Sequence, residues 1–295
     1  MPRLRLRHIL HPVRSARTAY RLCAGFFNEK AVCAVRRRLV RHTFRSIRRS
    51  RRDRCWCGGP LQPFKWHKGY GVCACCGCYV SRRPPLPEEL KRLYSFELYW
   101  HTRQLAKGHP TLESRAVKDR ADGRVDYWLG LVQRYGPVPG RVVEVGCAHA
   151  VLLAELQSRG YQCVGVEPDE QTCQWAREHM GVDVRAGLFP DCELPKCDLF
   201  LAFDVIEHSH CPRTFLQHAA LLLNPGGVAI IQTPLDRHDA EPPFNGMFDK
   251  VFDDLEHLFV FTRESLQELS DVCGLAIVAE ESWRLAHEVV VLKKK

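Results

Sequence analysis

Residues 136–295 predict an α/β fold, a doubly wound and mostly parallel seven-stranded sheet. Three observations predict it. Short apolar runs of strand length alternate with segments of helical period. The first run, "RVVEV", leads into the glycine-bearing turn "GCAHA" and then into a helix. An acid, Glu167, closes the second run, at the edge where sheets of this kind hold ligands.

Each element has its own justification. "RVVEV" reads as a buried strand, and Val151 to Arg159 as a helix stopped by Gly160 at its C′ position. "QCVGVE" is the second strand. Asp169 caps the following helix, whose Cys173, Ala176 and Met180 share one face. "VDVRAG" and "CDLFLAFD" supply strands three and four. Pro212 opens a helix that turns Phe215, Ala219 and Leu222 inward and ends at "NPGG". "VAIIQT" is strand five, "RESLQELSDVCG" a further helix, and "LAIVAE" with "HEVVVL" the closing pair. The loops after Val145, Val166, Ala186, Phe203 and Gln232 lie at the carboxyl ends of strands, where a ligand is expected. The irregular stretch "TPLDRHDAEPPFNGMFDKVFDD" predicts a loop covering a substrate.

Three segments precede this body. Residues 1–54 carry 17 Lys/Arg and two acids, whereas the rest of the chain is mildly acidic. Arginines interrupt every apolar stretch at the start, which argues against a secretory signal; the composition also fits an organellar transit peptide. From Val32 onward Val35, Leu39, Phe44 and Ile47 fall near helical spacing among arginines. That pattern is a basic amphipathic helix, suited to an anionic membrane surface or a phosphate backbone, with a merely solvated extension as the alternative. Phe26, Phe27 and Phe44 supply apolar anchors and favour the membrane.

Residues 55–84 form a cysteine module. Six of the fifteen cysteines fall between Cys55 and Cys78, a clustering that favours metal binding in a reducing compartment over disulfides. "CWCGGP" and "CACCGC" face each other across fifteen residues and predict a closed structural zinc site. The expected ligands are Cys55, Cys57, Cys73 and Cys76, with Cys78, Cys75 and His67 as substitutes. Residues 85–135 then read as a helical linker or lid.

The turn "GCAHA" decides the cofactor class. A dinucleotide fingerprint needs glycines at 146, 148 and 151, and only Gly146 is one, so NAD is disfavoured. Glu167 stands 21 residues after Gly146, where a carboxylate accepts from two ribose hydroxyls. No "NPPY"-type tetrapeptide follows strand four, which argues against adenine-N6 methylation.

"VVEVGCAHA", "VGVEPD", "LAFDVIEH", "LLLNPGG" and "EHLFVFTRESLQELSDVCG" stand in the order and spacing of class I SAM-dependent methyltransferases. The chain resembles that family over about residues 136–280, above all the group of ubiquinone-type O-methyltransferases and sugar or small-molecule methyltransferases. A cysteine module followed by a "LYSFELYW"-like helix also resembles bacterial methyltransferases, including sugar C-methyltransferases. The resemblance implies a Rossmann-like methyltransferase sheet with S-adenosyl-L-methionine (SAM) as cofactor. It implies that Glu144 and Gly146, with Cys147 and Ala148, form the loop beside the methionine portion. Glu167 then grips the ribose, Gly187 and Leu188 meet the adenine edge, and Asp204 lies near the sulfonium.

SAM has no phosphates, so its loop need not offer a nest of amides. Ala148 is then expected at negative φ, and Ala150 in the first helical turn, where Ala is a better helix former than Gly. Two histidines on strand-end loops, His208 and His257, are candidate general bases; each also reads as a packing histidine bonded to backbone. Glu207 and Glu256 precede them and can orient an imidazole, and His149 is expected to pack against the cofactor. The expected acceptor is an oxygen or carbon of a sugar, a lipid-linked intermediate or a quinone-like molecule. The expected place is the cytoplasm, peripheral to the inner face of a membrane. RNA methylation through the arm and zinc module, and a non-enzymatic binding module with a degenerate loop, are the competing readings.

Overall fold

The cysteine-rich segment folds as an antiparallel ribbon of three short strands, β1 (Leu61–Pro63), β2 (Tyr70–Cys73) and β3 (Tyr79–Ser81). The structure is a computed structural model that describes residues 46–105, 111–137, 139–236, 248–282 and 287–295. The basic arm up to residue 45, and residues 237–247 of the expected covering loop, lie outside the described residues; residues 46–54 of the arm are not helical as expected, because Ile47 is buried against Leu90 and Leu93 and Arg49 bridges to Pro85. Three helices follow the ribbon: α1 (Pro87–Leu93), α2 (Leu112–Ala121) and α3 (Arg124–Tyr135), with a π-helical segment Phe96–Gln104 between the first two.

The body alternates as its pattern predicts: β4 (Arg141–Val145), α4 (Val151–Ser158), β5 (Gln162–Glu167), α5 (Glu170–Met180), β6 (Asp183–Ala186) and β7 (Cys197–Phe203). Then come α6 (Pro212–Leu222), β8 (Leu223–Asp236), β9 (Phe259–Thr262), α7 (Arg263–Val272), β10 (Leu275–Ser282) and β11 (His287–Lys294). The seven-stranded sheet runs β6-β5-β4-β7-β8-β11-β10; β11 is antiparallel to both its neighbours and the remaining pairings are parallel. Strand order reverses between β4 and β7, which opens a crevice at their carboxyl ends.

Local chemistry sets the boundaries. The Asp169 carboxylate accepts from the Thr172 amide at 2.9 Å, Thr262 and Ser265 form a reciprocal capping box, and Gly160 takes φ 88° just beyond α4. Side chains alternate across the sheet with period two. Val142, Leu199, Leu201 and Ile230 face one layer with α3, α4 and α5. Val143, Phe200, Ala202 and Ile231 face the other with α6 and α7.

β8 is longer than expected. It runs 14 residues, from Leu223, which pairs with Cys197 of β7, to Leu235 and Asp236, which pair with Phe261 and Thr262 of β9. β9 in turn pairs with β3 through Tyr79↔Val260 and Val80↔Phe259. The cysteine ribbon is thereby joined edge to edge to the body. Cys55, Trp56, Cys73, Cys76 and Cys78 are buried in the same core as Phe215, Leu266 and Phe261.

Candidate functional site

A cleft of about 750 Å³ opens at the crevice between β4 and β7. Its walls are the turns after β4, β5, β6 and β7, and its roof comes from α1, the π-helical segment, α2 and α3. Glu144, Gly146, Cys147, Ala148, Glu167, Gly187, Leu188, Asp204 and His208 all line it. His257 does not. It sits behind His208 with ring centroids 4.9 Å apart, its Nδ1 2.6 Å from the Val251 carbonyl.

The turn after β4 needs its glycine. Gly146 has φ 72°, and a Cβ there would stand 2.5 Å from Val205 Cγ2, so both conformation and space exclude a side chain. Two expectations are corrected here. Ala148 has φ 48°, not a negative value, and Ala150 is the N-cap of α4 at φ 54° rather than a residue of its first turn. The turn keeps the left-handed backbone of a glycine-rich loop, with alanines in the strained positions at about 1–2 kcal/mol each. A tight fit compensates: Ala150 is fully buried, and its amide donates to Cys147 O at 2.7 Å.

Two buried carboxyls face each other across this turn. Glu167 Oε2 accepts from the Ala148 amide at 3.1 Å, yet burial pushes its pKa up to about 7. Burial, and then the charge of Glu167, push Glu144 up to about 8. Glu144 Oε2 is buried without a hydrogen-bond partner. Such a pair suits a ligand that brings hydroxyl donors and positive charge.

His149 ties the turn to the roof. Its Nδ1 accepts from the Val151 amide at 3.3 Å, so Nε2 carries the proton toward Asp119 Oδ2, 3.1 Å away on α2. Burial opposes ionisation of Asp119, but the His149 hydrogen bond, Arg115 and Arg124 outweigh it and hold the pKa below the usual value. Asp119, Arg115 and Arg124 all line the cleft.

Asp204, just past β7, takes φ 57° and accepts from Gln232 Nε2 at 3.0 Å and His287 Nδ1 at 2.9 Å. Burial is outweighed by His287, Gln232 and Arg124, and the pKa falls to about 2. Gln232 is itself fixed by the indole of Trp128 at 3.1 Å. His208 Nδ1 lies 2.8 Å from the Glu256 carbonyl and 3.0 Å from the Tyr94 hydroxyl. A carbonyl only accepts, so Nδ1 carries the proton and Nε2 is the basic atom. Glu207 is fully buried, its Oε2 accepting from Thr233 Oγ1 at 3.0 Å. Ligand atoms of Glu207, His208 and His257 all fall within 4.8 Å of one another.

Tyr94, Asp119, Arg124, Trp128 and His287 were not foreseen from the sequence. All but His287 come from the helices ahead of β4, whose pattern announces helix but not which face meets the turn. His287 is the first residue of the apolar strand β11, and only its pairing with Pro234 brings it to Asp204.

The four expected cysteines converge. Cys55 and Cys76 sulfurs are 3.6 Å apart, Cys57 and Cys73 3.4 Å, Cys57 and Cys76 3.6 Å. These separations far exceed the roughly 2.05 Å of a disulfide and approach the roughly 3.8 Å edge of a tetrahedron with metal–sulfur bonds of about 2.3 Å. Amides of Gly59 and Cys75 donate to Cys57 Sγ and Cys73 Sγ, both at 3.4 Å, as befits thiolates. A Cβ on Gly59 would stand 2.7 Å from Cys73 Sγ. The substitutes stand outside the group of four: Cys78, beside Cys55, points its Sγ to the Val260 carbonyl, Cys75, beside Cys73, is exposed, and His67 stacks on Phe252 at 4.3 Å.

Comparison with known proteins agrees with this geometry. A family model described as a methyltransferase domain matches residues 120–280. The ubiquinone biosynthesis O-methyltransferase of Bradyrhizobium diazoefficiens is 28% identical over 99 residues, covering 32% of this chain and 39% of the relative. That of Alkalilimnicola ehrlichii is 28% identical over 133 residues, covering 42% and 53%. The chain therefore matches only part of these relatives' length. Among solved structures, mitomycin 7-O-methyltransferase MmcR superposes with a TM-score of 0.50 at 15% identity, over 70% of this chain and 62% of that one, and shares the fold. The chain belongs to the methyltransferase-domain family, and SAM is the cofactor that this family implies.

Proposed function

We propose that the chain methylates an oxygen or carbon of a small molecule, a sugar, lipid-linked intermediate or quinone-like compound, with His208 as general base. One observation carries this: His208 lines the cleft near Asp204, with its tautomer set by the Glu256 carbonyl. The relatives' names point to oxygen as the accepting atom.

SAM, when bound, would supply an electrophilic methyl and a sulfur able to take the bonding electron pair. Glu167 would accept from the ribose hydroxyls, and Gly187 and Leu188 would meet the adenine. Asp204, ionised throughout the neutral range, would face the positive sulfonium side of the cleft. His208 Nε2 would take the acceptor's proton, and Tyr94 and Glu256 hold its ring. His257 supports His208 and does not itself reach the cleft wall. Incubation with SAM and a panel of phenolic and sugar acceptors should yield a singly methylated product. His208→Asn should lower kcat by roughly 10²–10⁴ with unchanged affinity for S-adenosylhomocysteine; unchanged kcat removes the base from the reading.

A second reading rests on the proximity of Glu207, His208 and His257 ligand atoms. A divalent cation held there would activate the acceptor hydroxyl in place of a free base. Metal analysis separates the two: one equivalent per chain favours the base, whereas a second, lost in Glu207→Gln, favours the cation.

The four-cysteine cluster is proposed as a structural zinc site, closed because four thiolates leave no open position. The basic arm is proposed to seat the chain on an anionic membrane; among the described residues no helix is long and apolar enough to cross one. Vesicle co-sedimentation that depends on anionic lipid and on residues 1–54 supports this. Steep salt-dependent RNA binding lost with the same deletion would instead favour an RNA acceptor.

A further inference from the structure

Residues 252–258, the stretch behind His208, have no helix or strand to hold them in place. Within this turn the Glu256 carbonyl accepts from His208 Nδ1 at 2.8 Å, which leaves Nε2 bare. A competitor stands beside it. The Tyr94 hydroxyl lies 3.0 Å from the same Nδ1, and a hydroxyl donates as readily as it accepts. Were the carbonyl to draw back, Tyr94 would donate to Nδ1 and the ring proton would sit on Nε2, the atom that has to take the acceptor's proton. The position of this turn therefore decides whether His208 can serve as a base.

Arg103 holds the turn. Its Nε donates to Glu256 Oε1 and its Nη2 to Asp253 Oδ2 at 2.6 Å, so one guanidinium spans both carboxylates. The Arg103 and Glu256 side chains are only 8% and 6% exposed, which removes the solvent screening that weakens surface pairs. Arg103 belongs to the π-helical segment Phe96–Gln104, whose Tyr99, Trp100 and Gln104 line the cleft while Arg103 faces the turn. One segment thus roofs the cleft and also grips the support of the base. Removing the guanidinium leaves the buried Glu256 carboxylate beside Asp253 without this cation, a cost that displaces the turn.

We propose that Arg103 is a positioning residue for methyl transfer. It keeps the Glu256 carbonyl, and not the Tyr94 hydroxyl, as the partner that fixes the His208 Nδ1 proton, and so ties the tautomer of the base to the seating of the roof. The inference rests on the reading of His208 as general base. Arg103 does not itself line the cleft, and it acts through Glu256.

The tautomer is read by nitrogen-15 NMR of the full chain labelled in histidine, at about pH 8.5, above the ordinary histidine pKa. The His208 signal is the one missing in His208→Asn, and no acceptor is needed. The unmodified chain should show a Nδ1–H ring. Arg103→Gln should convert much of it to Nε2–H. Arg103→Lys, a point charge without the fork, should give a mixture and covers the case in which Arg103→Gln does not fold. Adding Tyr94→Phe to either variant removes the competing donor and should bring the Nδ1–H form back. With catechol as acceptor, kcat of Arg103→Gln should fall by about tenfold or more, the KM for SAM changing much less, and Arg103→Lys should recover part of the loss. A pure Nδ1–H ring in either folded variant overturns the proposal and leaves the base reading standing. An Nε2–H ring in the unmodified chain, or an unchanged kcat in His208→Asn, defeats the base reading and the role of Arg103 with it.

Discussion

Glu167 ends β5, is buried, and accepts a single backbone hydrogen bond, which is too little to keep a carboxylate fully ionised at neutral pH. With Glu167 raised to about 7 and Glu144 to about 8, the ligand-free protein holds protons here that the unfolded chain releases near 4.5. Stability from these groups is present in full below the unfolded value and is lost as pH rises through 7 and 8. The ligand-free melting temperature should therefore fall between pH 5 and 8. SAM affinity should rise over the upper part of that range, because an ionised Glu167 accepts both ribose hydroxyls. Calorimetry at pH 6 and 8.5 reads this directly; an affinity that is flat or falls with pH contradicts it. Glu167→Gln should cost about 1.5–3 kcal/mol of SAM affinity, roughly tenfold or more. Glu167 was legible in the sequence because it ends an apolar strand 21 residues after Gly146. The conformation of Ala148 was not, since alanine at positive φ runs against its own propensity and only tertiary packing imposes it. Ala148→Gly should stabilise the protein by roughly 0.5–1 kcal/mol, the relief of strain exceeding glycine's added entropy when unfolded; a lower melting temperature would show that the Ala148 methyl packs better than its exposure implies.

At the scale of elements, the hydrogen bond between His149 on the turn after β4 and Asp119 on α2 couples roof to floor. Both partners are buried, and Arg115 Nε approaches the same carboxylate at 2.8 Å. Removing the charge in Asp119→Asn leaves two guanidiniums facing a neutral amide, so α2 should loosen from the turn. Expected are faster amide exchange across Leu112–Tyr135 and a SAM affinity lowered by about tenfold, with the exchange of β4 and β7 unchanged. Uniform loss of protection throughout the sheet would mean that the pair serves global stability instead. The strands and helices after residue 140 were readable because caps, glycines and period-two apolar runs agree with one another. The roof was readable only as helix. Its π-helical segment has no apolar stripe of period 3.6, and its Arg103 is placed by Glu256 and Asp253, some 150 residues away.

At the scale of the whole molecule, the cysteine ribbon is structurally continuous with the catalytic sheet. β3 pairs with β9, β9 with the end of β8, and the four-thiol cluster shares its core with α6 and α7. The ribbon also reaches the loop behind His208, where the Tyr70 hydroxyl donates to the His257 carbonyl at 2.6 Å. Sequence spacing grouped the four cysteines that converge but could not reveal this continuity, because it depends on pairing between residues 79–80 and 259–260. Stripping the proposed metal from these converging thiols, three of them buried, should therefore weaken more than a peripheral knuckle. Chelation, or Cys76→Ser, should lower the melting temperature by at least about 10 °C, the order expected for a loss of several kcal/mol in a chain of this size. Activity should fall more steeply than S-adenosylhomocysteine affinity, since His257 and His208 adjoin the ribbon while Glu167 lies across the sheet at β5. Cys75→Ser, at an exposed position outside the cluster, should change neither. A chelated protein that melts and turns over like the untreated one would place the ribbon's stability in its apolar contacts alone, with the thiols dispensable.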